Sequence, residues 1–401
     1  MTVAIIGAGI QGCSAAVELS MRGVDVVLFE RAGKPMEGAS RWNEGKIHLG
    51  YIFANESGAT AQALIRGAMV FHRKLTEYLG AAVPESERSE GFIYGVHRES
   101  LLAADDIAAH FSRVDALVSD ALAAHGADYL GQRGVRRSTP LPPAAFPFDG
   151  EFVGHALQTG ELAIDPHAVA DRLADRVTAE PRITFVGGTT VSSLQRSADG
   201  SLRIVDATGF SHGPFRDVIN ASWESRLGLD RTLGYSPPRP WLHRYKLALH
   251  ARGVAGASDV RSTTLMLGPF GDVVNLGAGR LYLSWYPVTR IGITTDLVPP
   301  DPEEILDAAR RAAIAVEVVR MLATVHPALR SVALGPRQVT VRGGHIFAWG
   351  ESDIGDVRSG LHQRHAVGII SDRGYHSIDT GKYAMAPLHA GIVADRITGD
   401  A

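Results

Sequence analysis

The sequence predicts a mixed α/β (α+β) fold, in which a parallel sheet flanked by helices is joined to an antiparallel sheet. Three observations carry this. The chain opens with a β-branched run, a glycine-rich turn and a segment of helical periodicity, the order of a parallel strand entering its crossover helix. Four strand-like runs between Leu242 and Tyr286 follow one another with only turn residues between them, as antiparallel strands do. At 401 residues the chain exceeds the usual size of a single core, so two units are expected.

Thr2–Ile6 (TVAII) reads as a fully buried parallel strand. Gly7-Ala8-Gly9-Ile10-Gln11-Gly12 follows, a GxGxxG, and Cys13–Met21 carries apolar residues at helical spacing. Gly23 marks the helix exit, and Val24–Phe29 is a second buried strand that ends in Glu30, eighteen residues after Gly12. A lone GxGxxG is a weak signal. Here strand, helix and acid all stand where a Rossmann-type dinucleotide site needs them. Gly7 permits the tight turn, Gly9 lets the backbone approach a pyrophosphate, and Gly12 allows close packing of helix on strand. Ile10 and Gln11 supply N–H groups at the helix start, where the dipole favours phosphate. Glu30, followed by Arg31, can accept hydrogen bonds from a ribose, and its charge would repel a 2′-phosphate. To this point the residues leave FAD and NAD both open.

The next segment, Gly38-Ala39-Ser40-Arg41-Trp42-Asn43-Glu44-Gly45-Lys46-Ile47-His48-Leu49-Gly50-Tyr51, is small and polar. It resembles the second flavin-contacting loop of the D-amino-acid-oxidase-like (DAO) family of FAD-dependent oxidoreductases, which includes glycine oxidase and sarcosine oxidase. The resemblance implies that Ser40 reaches the pyrophosphate and that Asn43, Gly45, Lys46 and Ile47 lie along the isoalloxazine. Asp217–Ala221 (DVINA) followed by Ser222-Trp223 is similar to the family's VV-N-A-(A/G)-x-W segment, which implies that Ala221 and Trp223 lie near FAD. Gly374-Tyr375-His376-Ser377-Ile378-Asp379-Thr380-Gly381-Lys382, running on to Ala386-Pro387, looks like the GHGFK-x-AP segment, with Gly381-Lys382 an imperfect match. Val191 stands, by the same resemblance, where a backbone group meets the adenine. A helix over Leu388–Ile397 would start beside the flavin pyrimidine, and Lys382 would add a full positive charge there. The implied fold is a Rossmann-type FAD-binding domain with an antiparallel-sheet substrate domain. Noncovalent FAD is expected, because Cys13 is the only cysteine and the C-terminal cysteinyl link of sarcosine oxidases has nothing to attach to.

Between the motifs, Thr60–Leu79 and Leu101–Ala124 read as helices and Thr139–Pro147 as a loop. Gly160–Asp165 leads into a helix over Pro166–Thr178 with proline in its first turn. Arg182–Val186, Thr190–Gln195 and Ser201–Asp206 read as strands, with a hairpin turn at Asp199-Gly200. Leu242–Ala251, Ser262–Leu267, Asp272–Leu276 and Arg280–Tyr286 form the expected antiparallel set, and Pro302–Leu322 a further helix. The FAD-binding domain is therefore expected from residues 1–80, 160–225 and 335–401, and the substrate-binding domain from 81–159 and 226–334.

Composition excludes several classes. Lys+Arg 40 against Asp+Glu 43 gives a net charge of -3, and no basic run marks a nucleic-acid binder. No apolar run approaches the ~18 residues of a membrane span, and Met1 runs straight into a strand, so a cytoplasmic protein is expected. The single cysteine rules out an internal disulfide and any thiolate metal cluster. Arginine outnumbers lysine 35 to 5, which reads as codon usage. The polar stretches Gly350–Asp356 and Gly360–His365 either line a polar cavity or are solvated loops, and their spacing suggests no metal site.

Oxidising an amine at a flavin requires an unprotonated nitrogen, a C–H aimed at N5 and a grip on the rest of the substrate. Alternation puts Lys246 on one face with Arg244 and His250, and Tyr286 on one face with Tyr282 and Ser284, with Arg290 just beyond. These are either substrate contacts or the wet side of the sheet. The stretch Asn43–Tyr51 also resembles the N-S-G-V-I-H-S-G-Y pattern of L-2-hydroxyglutarate dehydrogenase-like members. That implies His48 beside the flavin, able to take a hydroxyl proton. Together with Lys382, these residues define the expectation. It is an FAD-dependent oxidoreductase acting on the C–N bond of a small polar amine or amino acid by hydride transfer to flavin N5, reoxidised by O2 or another acceptor. The alternative is a 2-hydroxy-acid or polyol dehydrogenase with His48 as base. A non-catalytic flavin carrier is the reading from another class.

Overall fold

The computed structural model describes residues 2–56, 58–124 and 126–399. Its first half runs β1 (Thr2–Ile6), α1 (Ile10–Met21), β2 (Asp25–Phe29), α2 (Ala59–Leu79), β3 (Ile93–His97), α3 (Ala104–Ala123), β4 (Thr139–Pro140), β5 (Val153–Gln158) and α4 (Pro166–Ala179). Then come β6 (Ile183–Val186), β7 (Val191–Arg196), β8 (Leu202–Asp206), β9 (Ser211–Phe215), β10 (Asp217–Asn220), α5 (Arg226–Thr232) and β11 (Trp241–Ala251). The chain closes with β12 (Thr263–Leu265), β13 (Gly271–Asn275), β14 (Leu281–Trp285), α6 (Tyr286–Thr289), β15 (Arg290–Thr294), α7 (Ala308–Val325), β16 (Val339–Trp349), β17 (Gly368–Asp372), β18 (Tyr375–Asp379) and α8 (Ala386–Thr398).

The opening strand sits at the centre of a six-stranded sheet of order β17-β18-β10-β1-β2-β6. All its pairings are parallel except β17–β18. Alternation along β1 sends Val3 and Ile5 into the core built with α1 and α8. Ala4 and Ile6 point the other way, onto Leu194, Leu202, Ile204 and Phe215 of the three-stranded sheet β7-β8-β9. With both faces covered, the strand is apolar throughout, as the sequence indicated.

The second sheet has nine strands. Its path is β15-β11-β14-β13-β12-β3-β5-β4, and β16 pairs with β11. Apart from the parallel β3–β12 pair it is antiparallel. Helix α7 packs Ile314, Val318 and Leu322 on Leu247, Leu249 and Leu283. Among the described residues no helix is long and apolar enough to cross a membrane.

Three elements differ from expectation. Val339–Trp349 lies in the stretch expected with the FAD-binding domain, but it pairs with β11 in unbroken register from Trp241↔Trp349 to Ala251↔Val339. Gly343 and Gly344 lie inside this strand, where close contact leaves no room for a side chain. A Cβ at Gly343 would lie 2.0 Å from the Lys246 carbonyl oxygen, and one at Gly344 would lie 2.5 Å from Cβ of Ala39. The strand expected over Arg280–Tyr286 stops at Trp285, where α6 begins with proline in its first turn. The helix expected over Pro302–Leu322 is a 3-10 turn at Pro302–Ile305 followed by α7, whose start is set by Asp307 capping the Arg310 N–H.

Candidate active site

A cleft of about 500 Å³ runs along the carboxyl ends of the parallel strands and against the antiparallel sheet. Its floor is the β1–α1 turn. Gly7 has φ +93°, and a Cβ there would lie 2.7 Å from the Ala221 carbonyl oxygen. A Cβ on Gly12 would lie 1.8 Å from the Gly7 carbonyl oxygen. Both positions therefore exclude any side chain. The Gly9 cap of α1 has no side-chain partner, while the Ile10 N–H donates to Ser40 Oγ at 2.9 Å. Gln11 joins the chain's two ends: its Nε2 donates to the Ala386 carbonyl at 3.3 Å, and Thr380 Oγ1 donates to its Oε1 at 3.2 Å.

One end of the cleft is lined by Glu30, Arg31, Thr189, Thr190 and Val191. Glu30 accepts from the N–H groups of Ala8 (2.7 Å) and Ala32 (2.9 Å), and Arg31 pairs with Glu224. In the middle stand Ala221, Ser222 and Trp223. Trp223 has φ +53° and donates Nε1–H to the His345 carbonyl at 2.7 Å. The loop over residues 37–48 folds on itself through Asn43, which donates to the Ser40 carbonyl (2.7 Å) and accepts from Gly45 N–H (2.7 Å).

The far end is basic. Lys382 Nζ is 3.3 Å from His48 Nε2, which also lies 3.1 Å from Glu44 Oε1. Lys246 Nζ is 3.4 Å from Asp272 Oδ2. Lys46 is wholly buried, with Nζ 2.5 Å from Thr264 Oγ1 and 4.2 Å from the centroid of the Phe92 ring. Arg364, also buried, donates Nη1–H to the Phe347 carbonyl at 2.8 Å and leaves Nε without a partner. Three of the chain's five lysines thus converge on one end of one cleft. Burial, reinforced by Arg364, Lys46 and Lys246 against the pull of Glu44, lowers Lys382 to about 8. Burial and Lys382 lower His48 against the pull of Glu44 and Glu161, which favours the neutral imidazole. Burial would raise Glu44, but Lys46, His48 and Lys382 hold it well below the usual carboxylate range. Burial works against charge on Lys246, yet Tyr282 and Asp272 push it up.

A phosphate-binding turn at one strand end, a ribose-type acid and a basic far end make a composite site for a two-part nucleotide. The family model for FAD-dependent oxidoreductases of the DAO family matches residues 2–391. The chain belongs to the DAO family. A D-amino acid dehydrogenase from Chromohalobacter salexigens is 23% identical over 291 residues, 60% of this chain and 67% of the relative. The bifunctional tRNA-modification protein MnmC of Marinobacter nauticus is 33% identical over 113 residues, 25% of this chain and 18% of that protein. Among solved structures, glycine oxidase from Geobacillus kaustophilus superposes with TM-score 0.69 at 15% identity, covering 99% of this chain and 94% of the other. Iminodiacetate oxidase from Chelativorans sp. BNC1 gives 0.68 at 17%, covering 99% and 95%. These likenesses establish the mixed α/β fold of the DAO family. The protein is an FAD-dependent oxidoreductase, and the side-chain-free turn with its uncapped helix start suits a pyrophosphate.

Of the residues expected at the DAO cofactor, Gly7, Gly9, Ile10, Gln11, Glu30, Arg31, Ser40, Asn43, Lys46, Val191, Ala221, Trp223, Thr380, Gly381 and Lys382 line the cleft. Others stand outside it. Gly12 packs α1 on β1, and Gly45 (φ +69°) allows close approach to the Ile164 carbonyl. Ile47 is buried, its backbone bonded to Leu162 and Tyr129. Gly374 is the turn before β18, and Tyr375, His376, Ser377, Ile378 and Asp379 form that strand rather than lining the cleft. Tyr375 and Ser377 donate to Asp230, His376 faces Asp217, and Asp379 accepts from Trp349. These are frame contacts. A five-residue strand was needed to carry Thr380–Lys382 to the cleft, and a motif resemblance does not distinguish the carrier from what it delivers.

His48, Lys246 and Lys382 meet at the basic end, but Tyr286 and Arg290 do not line the cleft. Alternation was expected to align them with Tyr282; α6 interrupts it. The Tyr286 hydroxyl donates to Asp353 (2.7 Å) and accepts from Arg244 (3.0 Å), and Arg290 pairs with Asp353 at 3.3 Å. Sequence reasoning missed Arg364 and Glu44. Lysine usage carries a partial signal for the basic end: in a chain with 35 arginines and 5 lysines, Lys46, Lys246 and Lys382 line the cleft and Lys34 and Lys74 do not.

Proposed function

We propose that the protein oxidises the C–N bond of a small polar amino acid or amine, with O2 or another acceptor taking the electrons. The observation that carries this reading is the basic wall of Lys46, Lys246, Lys382 and Arg364 around His48. Such a wall attracts a carboxylate and disfavours an ammonium beside it, so it favours the neutral amine that hydride loss requires. FAD, when bound, supplies the hydride acceptor at N5. Arg364, a buried cation among the residues that line the cleft, is the proposed carboxylate anchor. His48 Nε2 is the proposed acceptor for the proton leaving the substrate nitrogen, and Lys382 places positive charge next to it. The antiparallel sheet, which contributes Lys246 and Tyr282, is the proposed substrate side. The relatives bear on the substrate class: glycine oxidase, iminodiacetate oxidase and D-amino acid dehydrogenase are named for amino acids. A cytoplasmic setting is part of the proposal.

A second reading, a 2-hydroxy-acid or polyol dehydrogenase, is favoured by one observation: a buried neutral histidine already flanked by a cation and a carboxylate is a ready base for a hydroxyl. Anaerobic mixing of the flavin-loaded protein with matched amino acids and 2-hydroxy acids separates the two. Bleaching of the ~450 nm flavin band by amino acids alone is the expected result. Bleaching by hydroxy acids alone would replace the first reading with the second, and bleaching by neither would favour a non-catalytic carrier.

A further inference from the structure

His48 presents two different nitrogens to two different environments. Nε2 lies on the cleft side, 3.3 Å from Lys382 Nζ and 3.1 Å from Glu44 Oε1. Nδ1 is buried without a hydrogen-bond partner, and the nearest charged atom on its side is Glu161 Oε1 at 3.7 Å. Glu161 is a wholly buried carboxylate. Tyr94 donates its hydroxyl to Oε1, and the Leu49 N–H donates to Oε2 at 2.5 Å. The residues around it are tied to the histidine loop by the Lys46↔Ala163 bridge and the Ile47 N–H to Leu162 carbonyl bond at 3.0 Å. The carboxylate is therefore held rigidly behind the ring, from the loop that precedes α4.

A neutral imidazole carries one proton, and its two placements are not equivalent here. With the proton on Nε2, the bare lone pair of Nδ1 would face a buried carboxylate, and the Lys382 ammonium would lose its acceptor. Both costs fall in a region with little water to screen them. With the proton on Nδ1, the N–H points toward Glu161 and the Nε2 lone pair accepts from Lys382. Only Glu44 then loses a donor. Its side chain is 21% exposed against 0% for Glu161, and it has Lys46 and Lys382 as compensating cations.

We propose that Glu161 is the positioning residue of His48: its carboxylate fixes the proton on Nδ1, so that the Nε2 lone pair faces the cleft as the base. The assignment rests on reading this cleft as an oxidation site with His48 at its reactive end. The step it serves is a proton transfer only. The Lys382 N–H withdraws from the Nε2 lone pair, the N–H or O–H bond of the substrate breaks with its electron pair staying on nitrogen or oxygen, and the proton forms a new bond to Nε2. Glu161 touches neither substrate nor flavin in this scheme; it acts through the ring, as a carboxylate behind a catalytic histidine does.

The test uses flavin-loaded full-length protein with 15N-labelled histidine, and reads the two ring nitrogens of His48 by long-range proton–nitrogen correlation, assigned with His48→Gln. In the wild type the protonated-nitrogen signal is expected on Nδ1 and the lone-pair signal on Nε2. In Glu161→Gln, whose amide can donate to Nδ1, the two are expected to exchange. Substrate-driven flavin reduction should then fall at least about 100-fold in kcat/KM, with its acid limb displaced. Glu161→Asp should keep the wild-type tautomer and recover part of the rate. A wild-type proton on Nε2, or an unchanged tautomer in Glu161→Gln, overturns the proposal, and the wild-type spectrum decides even if the variant does not fold. The tautomer does not depend on turnover. Absence of flavin reduction by any amine or hydroxy acid would count against the proposed activity and leave the Glu161 result to stand separately.

Discussion

Lys382 Nζ lies 3.3 Å from Nε2 of His48, a contact between residues 334 positions apart. The histidine comes from the loop after β2 and the lysine from the end of β18, so the contact forms only when the first and last parts of the parallel sheet are assembled. It puts a cation beside a buried imidazole, and Lys382 adds to burial in lowering the affinity of His48 for protons.

From this follows a pH dependence. Lys382 is charged below pH about 8 and loses its charge as pH rises through that value. Flavin reduction by an anionic amino acid is therefore expected to fall above pH 8 in the wild type. Lys382→Met should lower kcat/KM by roughly 10- to 100-fold below pH 8 and abolish that alkaline limb. Stopped-flow reduction between pH 6 and 10 measures both, and an alkaline limb surviving in the variant would assign it to another group.

Arg364 offers a separable test. Lysine in its place keeps a charge but not a planar fork. Arg364→Lys should raise KM for a carboxylate-bearing substrate by about 10- to 100-fold while leaving an amine that lacks a carboxylate nearly unaffected. Equal losses for both would mean that Arg364 supports the fold through Phe347 rather than the substrate.

Much of this was legible beforehand, and for identifiable reasons. The β1–α1 turn could be read because Gly7 and Gly12 have no sterically permitted substitute, so geometry is written directly into residue type. Tyr375–Asp379 was read as cofactor contact and is instead a buried strand, because its polar side chains bond to Asp230, Asp217 and Trp349, partners over a hundred residues away or in another sheet. Arg364 falls in Gly360–His365, a stretch whose residues left cavity wall and solvated loop both open, and only the path of the loop after β16 brings it to the cleft. Tyr286 and Arg290 were misplaced by extending period-2 alternation past Trp285, one residue too far.

The glycines predict opposite responses to one methyl group. Gly12→Ala would drive a Cβ to 1.8 Å from the Gly7 carbonyl oxygen and should abolish flavin retention on purification, read as the ratio of 450 to 280 nm absorbance. Gly391, inside α8 with nothing within 4 Å of its virtual Cβ, is the control: Gly391→Ala should keep the flavin and stabilise the protein by about 0.4–1 kcal/mol.

Acid should unfold the protein through its histidines. Burial lowers His250 to about 3 and His326 and His389 to about 4, with neighbouring arginines or His167 adding at His250 and His389. Unfolded, each titrates near 6.5. Their stabilisation is thus complete above pH 6.5 and is lost as pH falls from there toward 4, because the unfolded chain then takes up protons that the folded one refuses. The melting temperature should drop steeply across that window, and His326→Leu should flatten the drop; an unchanged slope would mean that His326 is accessible to protons in the folded state.

The most direct measurement of the proposed chemistry follows the substrate nitrogen. Flavin-loaded protein is mixed without oxygen with an α-amino acid carrying 15N, and released ammonium is quantified by NMR against loss of the ~450 nm band. One 15N ammonium per flavin bleached, together with the 2-oxo acid, is the expected result. Bleaching by a 2-hydroxy acid while the amino acid leaves both the flavin and its nitrogen untouched would contradict the account.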